Sequence, residues 1–168
     1  MIILMAGLPG TGKSTLARVL ADDTSGILLS KDQIRDGLFG PNDIEYSAAQ
    51  DDFCMEIMLQ AAHFLLLRNP QRAIYLDGRT FSKRYQIDRV LAFAGQISQP
   101  WAILECRCSE LSALRRIESD LEHPASNRNV SLYREVRERF EPIEYRKAVI
   151  DTDQPLEVCI RQARVHLA

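Results

Sequence analysis

Eight residues near the start of the chain decide most of what it can fold into. Gly7-Leu8-Pro9-Gly10-Thr11-Gly12-Lys13-Ser14 fits the pattern G-x-x-x-x-G-K-[ST]. It follows Ile2-Ile3-Leu4-Met5-Ala6, an apolar run suited to a strand buried on both faces, and it precedes a helical pattern over 13–21. The three glycines let the backbone wrap tightly and turn its N–H groups toward an anion. The N-terminus of the following helix adds a partial positive charge. Lys13 is spaced to reach β- and γ-phosphates, and the Ser14 hydroxyl to hold Mg²⁺. The loop from Gly7 to Ser14, with Thr15 one place further on, is therefore the expected binding element for ATP.

The rest of the chain repeats the same alternation. Short apolar runs at 26–29, 73–76, 101–104 and 148–150 are separated by helical patterns, the signature of a parallel sheet covered by helices. Ser30 with Gln33 predicts the start of a short helix that ends before Gly40-Pro41. Either Asn42 with Glu45 or Ser47 with Gln50 starts the next, which runs to Asn69-Pro70 with Phe53, Ile57, Ala61, Phe64 and Leu65 as its apolar stripe. Ile87, Val90, Leu91 and Ala94 mark another. Leu132, Val136, Phe140 and Ile143 mark one that breaks near Pro142. Leu156, Ile160, Ala163 and Leu167 mark the last, with Pro155 in its first turn. His63, inside the long helix, reads as a core or boundary residue. With 168 residues, 46% of them hydrophobic, one domain spanning 1–168 is expected.

Several classes drop out. A net charge of −2 disfavours a protein that coats long nucleic acid by charge. No apolar run approaches the roughly 20 residues of a membrane span, and no basic stretch precedes the first one, so a cytoplasmic protein is expected. Four cysteines, at 54, 106, 108 and 159, read as free thiols, because nothing nearby completes a zinc site.

Three further positions carry chemistry. Asp77 follows the strand-like run 73–76, which puts a carboxylate at the carboxyl edge of the sheet, where Mg²⁺ needs one. Asp32 and Arg35 are three apart on the helix after the second strand and so share a face. Asp32 is a candidate to accept a proton from an attacking hydroxyl, and Arg35 to grip an anionic group. Taken alone, that pair reads as an ordinary surface ion pair. Arg79, Lys83 and Arg84 follow Asp77 and stand open between anion binding and plain surface charge.

The phosphate loop, Ser30-Lys31-Asp32-Gln33-Ile34-Arg35, Leu76-Asp77-Gly78-Arg79-Thr80-Phe81 and Val149-Ile150-Asp151-Thr152-Asp153 occur in this order. Together they resemble the small P-loop kinases, the AAA-like ATP-binding kinases, whose relatives include polynucleotide 5′-hydroxyl kinases, gluconate kinases, chloramphenicol phosphotransferase and zeta toxins. The resemblance spans essentially the whole chain. It implies a three-layer α/β fold with a five-stranded parallel sheet in the order 2-3-1-4-5. It implies transfer of the γ-phosphoryl group of ATP to a hydroxyl of a small molecule or nucleotide, with Asp32 as base and Arg35 on the acceptor; Arg79 is a further candidate for the acceptor from its place after Asp77. It also implies a lid, placed at 118–130, whose arginines close on the phosphates. Arg128 ranks first there and Arg116 second, with Arg115 as a further candidate. Two rivals stay open: a hydrolysing switch, against whose GTPase form the missing N-K-x-D motif counts, and a non-catalytic nucleotide-binding module.

Overall fold

The computed structural model describes residues 1–120 and 129–167. Five strands form one parallel sheet: β1 (Ile2–Ala6), β2 (Ile27–Ser30), β3 (Ile74–Asp77), β4 (Trp101–Arg107) and β5 (Ala148–Asp151). Their order is β2-β3-β1-β4-β5, as the resemblance implies. β1 is central, with Ile2 in register with Ile74 on one side and Trp101 on the other. All five of its residues are buried, which explains why it reads as continuously apolar rather than alternating.

Seven helices are seen among the described residues: α1 (Lys13–Asp23), α2 (Lys31–Leu38), α3 (Ala48–Arg68), α4 (Arg84–Gln96), α5 (Glu110–Ser119), α6 (Val130–Glu138) and α7 (Leu156–Leu167). Two of the apolar layers cover the two faces of the sheet. On one face Ile2, Leu4, Ile74 and Leu76 pack with Met55, Met58, Leu59 and Ala62 of α3 and Ile87 and Val90 of α4. On the other, Ile3, Met5, Leu104 and Cys106 pack with Leu16 and Leu20 of α1 and Cys159 and Ala163 of α7. No helix among the described residues is long and apolar enough to cross a membrane.

The structure departs from the periodicity in four places. The apolar stripe of α3 is rotated: Cys54, Met55, Met58, Leu59, Ala62 and Leu66 are buried, while Phe53 and Phe64 are exposed. The helix carries apolar residues nearly all round, so a stripe chosen from the aromatics picks the wrong face. His63 is exposed and meets the Phe93 ring edge-on. α6 stops at Glu138, and Ile143 reaches the core from the segment that follows. Pro155 stands just before α7, where its carbonyl accepts from Cys159 N–H. Ser47, not Asn42, caps α3, its hydroxyl accepting from Gln50 N–H at 3.1 Å. All four cysteines are free, and burial pushes the Cys106 thiol up to about 12, far from a nucleophilic thiolate.

Because the strands are parallel, β1, β2 and β3 all release their next segments at one edge. The phosphate loop, the start of α2 and Asp77 meet there. Of the lid expected at 118–130, residues 121–128 with Arg128 lie outside the described residues.

Candidate active site

The loop after β1 is held open by backbone conformations that favour glycine. Gly7 has φ 132°, while Gly10 and Gly12 have φ 78°. Space is as restrictive as torsion. A Cβ on Gly7 would lie 2.3 Å from the Cys106 carbonyl oxygen, and one on Gly10 would lie 2.4 Å from that of Ala113. Gly10→Ala is expected to lower the unfolding free energy by about 1–3 kcal/mol, because a backbone carbonyl cannot swing aside as a side-chain tip can. Urea denaturation checks this, and an unchanged midpoint would show that the loop relaxes freely.

Lys13 begins α1 and is buried. Its ammonium donates to the carbonyls of Gly7 at 2.9 Å and Leu8 at 2.7 Å. The loop is tied down on both flanks: Gly7 N–H donates to Thr80 O at 3.0 Å, and the Thr152 hydroxyl donates to Thr11 O at 2.9 Å.

A cavity of about 310 Å³ opens beside this loop. Pro9, Gly10, Gly12, Lys13, Ser14 and Thr15 line it, together with Asp77. Gly7, Leu8 and Thr11 instead border a second hollow on the far side of the loop, with Glu105 and Tyr133. Asp77 is 3% exposed, and its Oδ1 has no hydrogen-bond partner. A buried carboxylate oxygen without a donor is the group a hard cation satisfies. With the Ser14 hydroxyl in the same lining, the residues fit Mg²⁺.

The rest of the lining comes mainly from α2, α3 and the turn after β3. Asp32 and Arg35 do share a face, joined at 3.0 Å, but they are not a surface pair. The Arg35 side chain is 3% exposed, and its guanidinium also binds Asp51. Lys31 Nζ lies 2.7 Å from Asp51 and 3.4 Å from Asp32. Arg79 is likewise buried, 2.6 Å from Asp52, and it donates to the Tyr85 hydroxyl at 3.2 Å. Lys83 and Arg84 lie elsewhere, the Lys83 ammonium on Glu141 and the Arg84 guanidinium between Asp88 and Glu144.

Sequence reading missed several of these groups. Asp51 and Asp52 lie near the start of α3, where acids favour the helix dipole, and the structure makes them partners of the cavity's cations as well. Tyr46 gave no periodic signal, yet it lines the cavity with the Arg35 guanidinium 5.0 Å from its ring centre. Arg116 does not line the cavity. It donates to Thr152 Oγ1 at 3.1 Å, to Thr152 O at 2.7 Å and to Gly10 O at 3.5 Å, so it braces the outer side of the loop. Arg115 is exposed.

A family model described as an AAA domain matches residues 2–143. No curated protein matches the chain. Among solved structures, the chain is similar to a candidate kinase from Chloroflexus aurantiacus, with 20% identity and a TM-score of 0.75 over 99% of this chain and 98% of that one. It is similar to a gluconokinase from Sinorhizobium meliloti, with 19% identity and a TM-score of 0.67 over 99% and 93%. It is also similar to the APS kinase CysC of Mycobacterium tuberculosis in complex with AMPPNP and APS, with 15% identity and a TM-score of 0.70 over 99% and 96%. At these identities the likeness is one of fold.

Proposed function

The chain belongs to the AAA domain family of small P-loop kinase-like proteins, and from that membership we propose that it is an ATP-dependent kinase of a small hydroxyl-bearing acceptor, acting in the cytoplasm. One observation carries the reading. The phosphate loop, the unpartnered Asp77 oxygen and the Asp32–Arg35 pair line a single cavity at the carboxyl edge of the sheet.

Loop amides and Lys13 hold the phosphates of ATP and spread the charge that builds on the transferring group. Ser14 and Asp77 would hold Mg²⁺, which neutralises charge on the β- and γ-phosphates. Asp32 orients the acceptor hydroxyl and takes its proton as the oxygen bonds to the γ-phosphorus. The bond to the β-phosphate oxygen breaks and ADP leaves. Arg35 and Arg79 position the acceptor, and the ion pairs around them keep Asp32 in place. The lid is proposed at 118–130, with Arg128 as its leading arginine. Arg116, from its place on Thr152 and Gly10, supports the loop.

Incubation with γ-labelled ATP, Mg²⁺ and a metabolite panel tests the reading. The expected result is label on an organic hydroxyl with ADP released. Label appearing only as inorganic phosphate, whatever acceptor is supplied, would count for a hydrolysing switch. In the same assay Asp77→Asn should raise the Mg²⁺ concentration for half-maximal turnover about tenfold, since a neutral amide is a weak ligand for a hard cation. An unchanged requirement would remove Asp77 from the metal site.

A further inference from the structure

The acceptor side of the cavity is walled by three buried cations, Lys31, Arg35 and Arg79, at 7%, 2% and 5% exposure. Each already holds a carboxylate of this chain. Lys31 binds Asp51, Arg35 binds Asp32 and Asp51, and Arg79 binds Asp52. Among the described residues of these pairs, three cations therefore meet three carboxylates, and their formal charges cancel.

That balance selects against an anionic ligand. An incoming carboxylate or phosphate must pull a cation away from its own partner, which leaves a half-buried carboxylate uncompensated, or else sit beside that carboxylate against its repulsion. A neutral hydroxyl meets neither obstacle. Ion-paired carboxylates keep lone pairs that accept O–H, and guanidinium groups keep N–H bonds that donate to the hydroxyl oxygen. The neighbouring lining residues Thr80, Ser82 and Gln86 are polar and uncharged.

Tyr46 adds an aromatic wall beside these pairs. Its φ is 51°, a left-handed conformation unusual for a bulky side chain, so the surrounding structure holds it there against local strain. An aromatic face next to paired donors and acceptors suits a small molecule with a C–H face and several hydroxyls.

We propose that the phosphoryl acceptor is an uncharged polyhydroxylated small molecule of sugar or cyclitol type, held by the pairs Lys31–Asp51, Arg35–Asp32 and Arg79–Asp52 against Tyr46. This rests on the kinase reading and names its substrate class.

The test uses the full chain saturated with Mg²⁺ and AMPPNP, so that added anions cannot enter the phosphate loop. Calorimetry compares matched probes: glucose with gluconate and with glucose 6-phosphate, and myo-inositol with its monophosphate. The neutral member should bind at least about tenfold tighter in each pair that binds. An anionic member binding tighter, or no neutral member binding at millimolar concentration, overturns the proposal.

A second arm reads the charge balance itself, with inorganic sulfate as probe. Asp51→Asn removes a compensating carboxylate, so the variant should bind sulfate about tenfold more tightly than the wild-type chain. Asp52→Asn makes the same change beside Arg79 and serves if the first variant fails to fold. Equal sulfate binding by wild type and folded variant overturns the proposal. Failure of the kinase reading shows separately, as γ-labelled ATP giving label only as inorganic phosphate, or no turnover at all, with every acceptor supplied, and removes both.

Discussion

Lys13→Ala should lower phosphoryl transfer by about 10²–10³-fold or more, the range seen when one preorganised donor to a developing charge is deleted. The loop amides would remain, but the full positive charge nearest the β- and γ-phosphates would be gone. The effect should fall on kcat more than on nucleotide affinity, because charge on the transferring group is largest in the transition state. The substitution also removes two hydrogen bonds, to Gly7 O and Leu8 O, from a buried position. A lowered melting temperature is therefore expected as well, and circular dichroism must confirm a folded variant before rates are compared. Transfer at the wild-type rate would show that Lys13 only braces its loop, and the phosphate-site reading would fall.

Asp32→Asn should reduce transfer by about 10²–10⁴-fold, the usual contribution of a positioned general base. Asparagine keeps the shape but cannot take the acceptor proton. AMPPNP affinity should barely change, since Asp32 belongs to α2 and not to the phosphate loop. The carboxylate has structural partners too, Arg35 at 3.0 Å and Lys31 at 3.4 Å. A purely structural role would move stability and acceptor affinity together and leave the rate at saturating acceptor alone. An unchanged kcat with a raised acceptor KM would therefore make Asp32 a binding group only.

The parts legible along the chain share a property: their meaning is local. A glycine-rich loop between an apolar run and a helix binds phosphate through its own backbone and the next helix, so eight consecutive residues suffice to read it. The strands are similarly plain, because a strand buried on both faces must be apolar throughout, as Ile2 to Ala6 are. Asp77 follows from the same logic, since a carboxylate closing such a strand is delivered to the carboxyl edge of the sheet. The order of the motifs carried the sheet order through family likeness, not through any physics of the residues themselves.

What had no local signature was decided by packing across the fold. The buried face of α3 depends on which side of a nearly all-apolar helix meets the sheet, and the contacts choose Met55, Met58 and Leu59 over Phe53 and Phe64. Asp51 and Asp52 look like any acids at a helix start until α3 lies against α2 and the turn after β3, where they meet Arg35 and Arg79. Arg116 looks like a lid arginine until β5 delivers Thr152 to it. Charge compensation depends on distance in space, and residues 20 or more apart in the chain come within reach only when the sheet has brought their elements to one edge. The phosphate site was thus written in consecutive residues, while the acceptor wall, with its balance of charge, exists only in the folded chain.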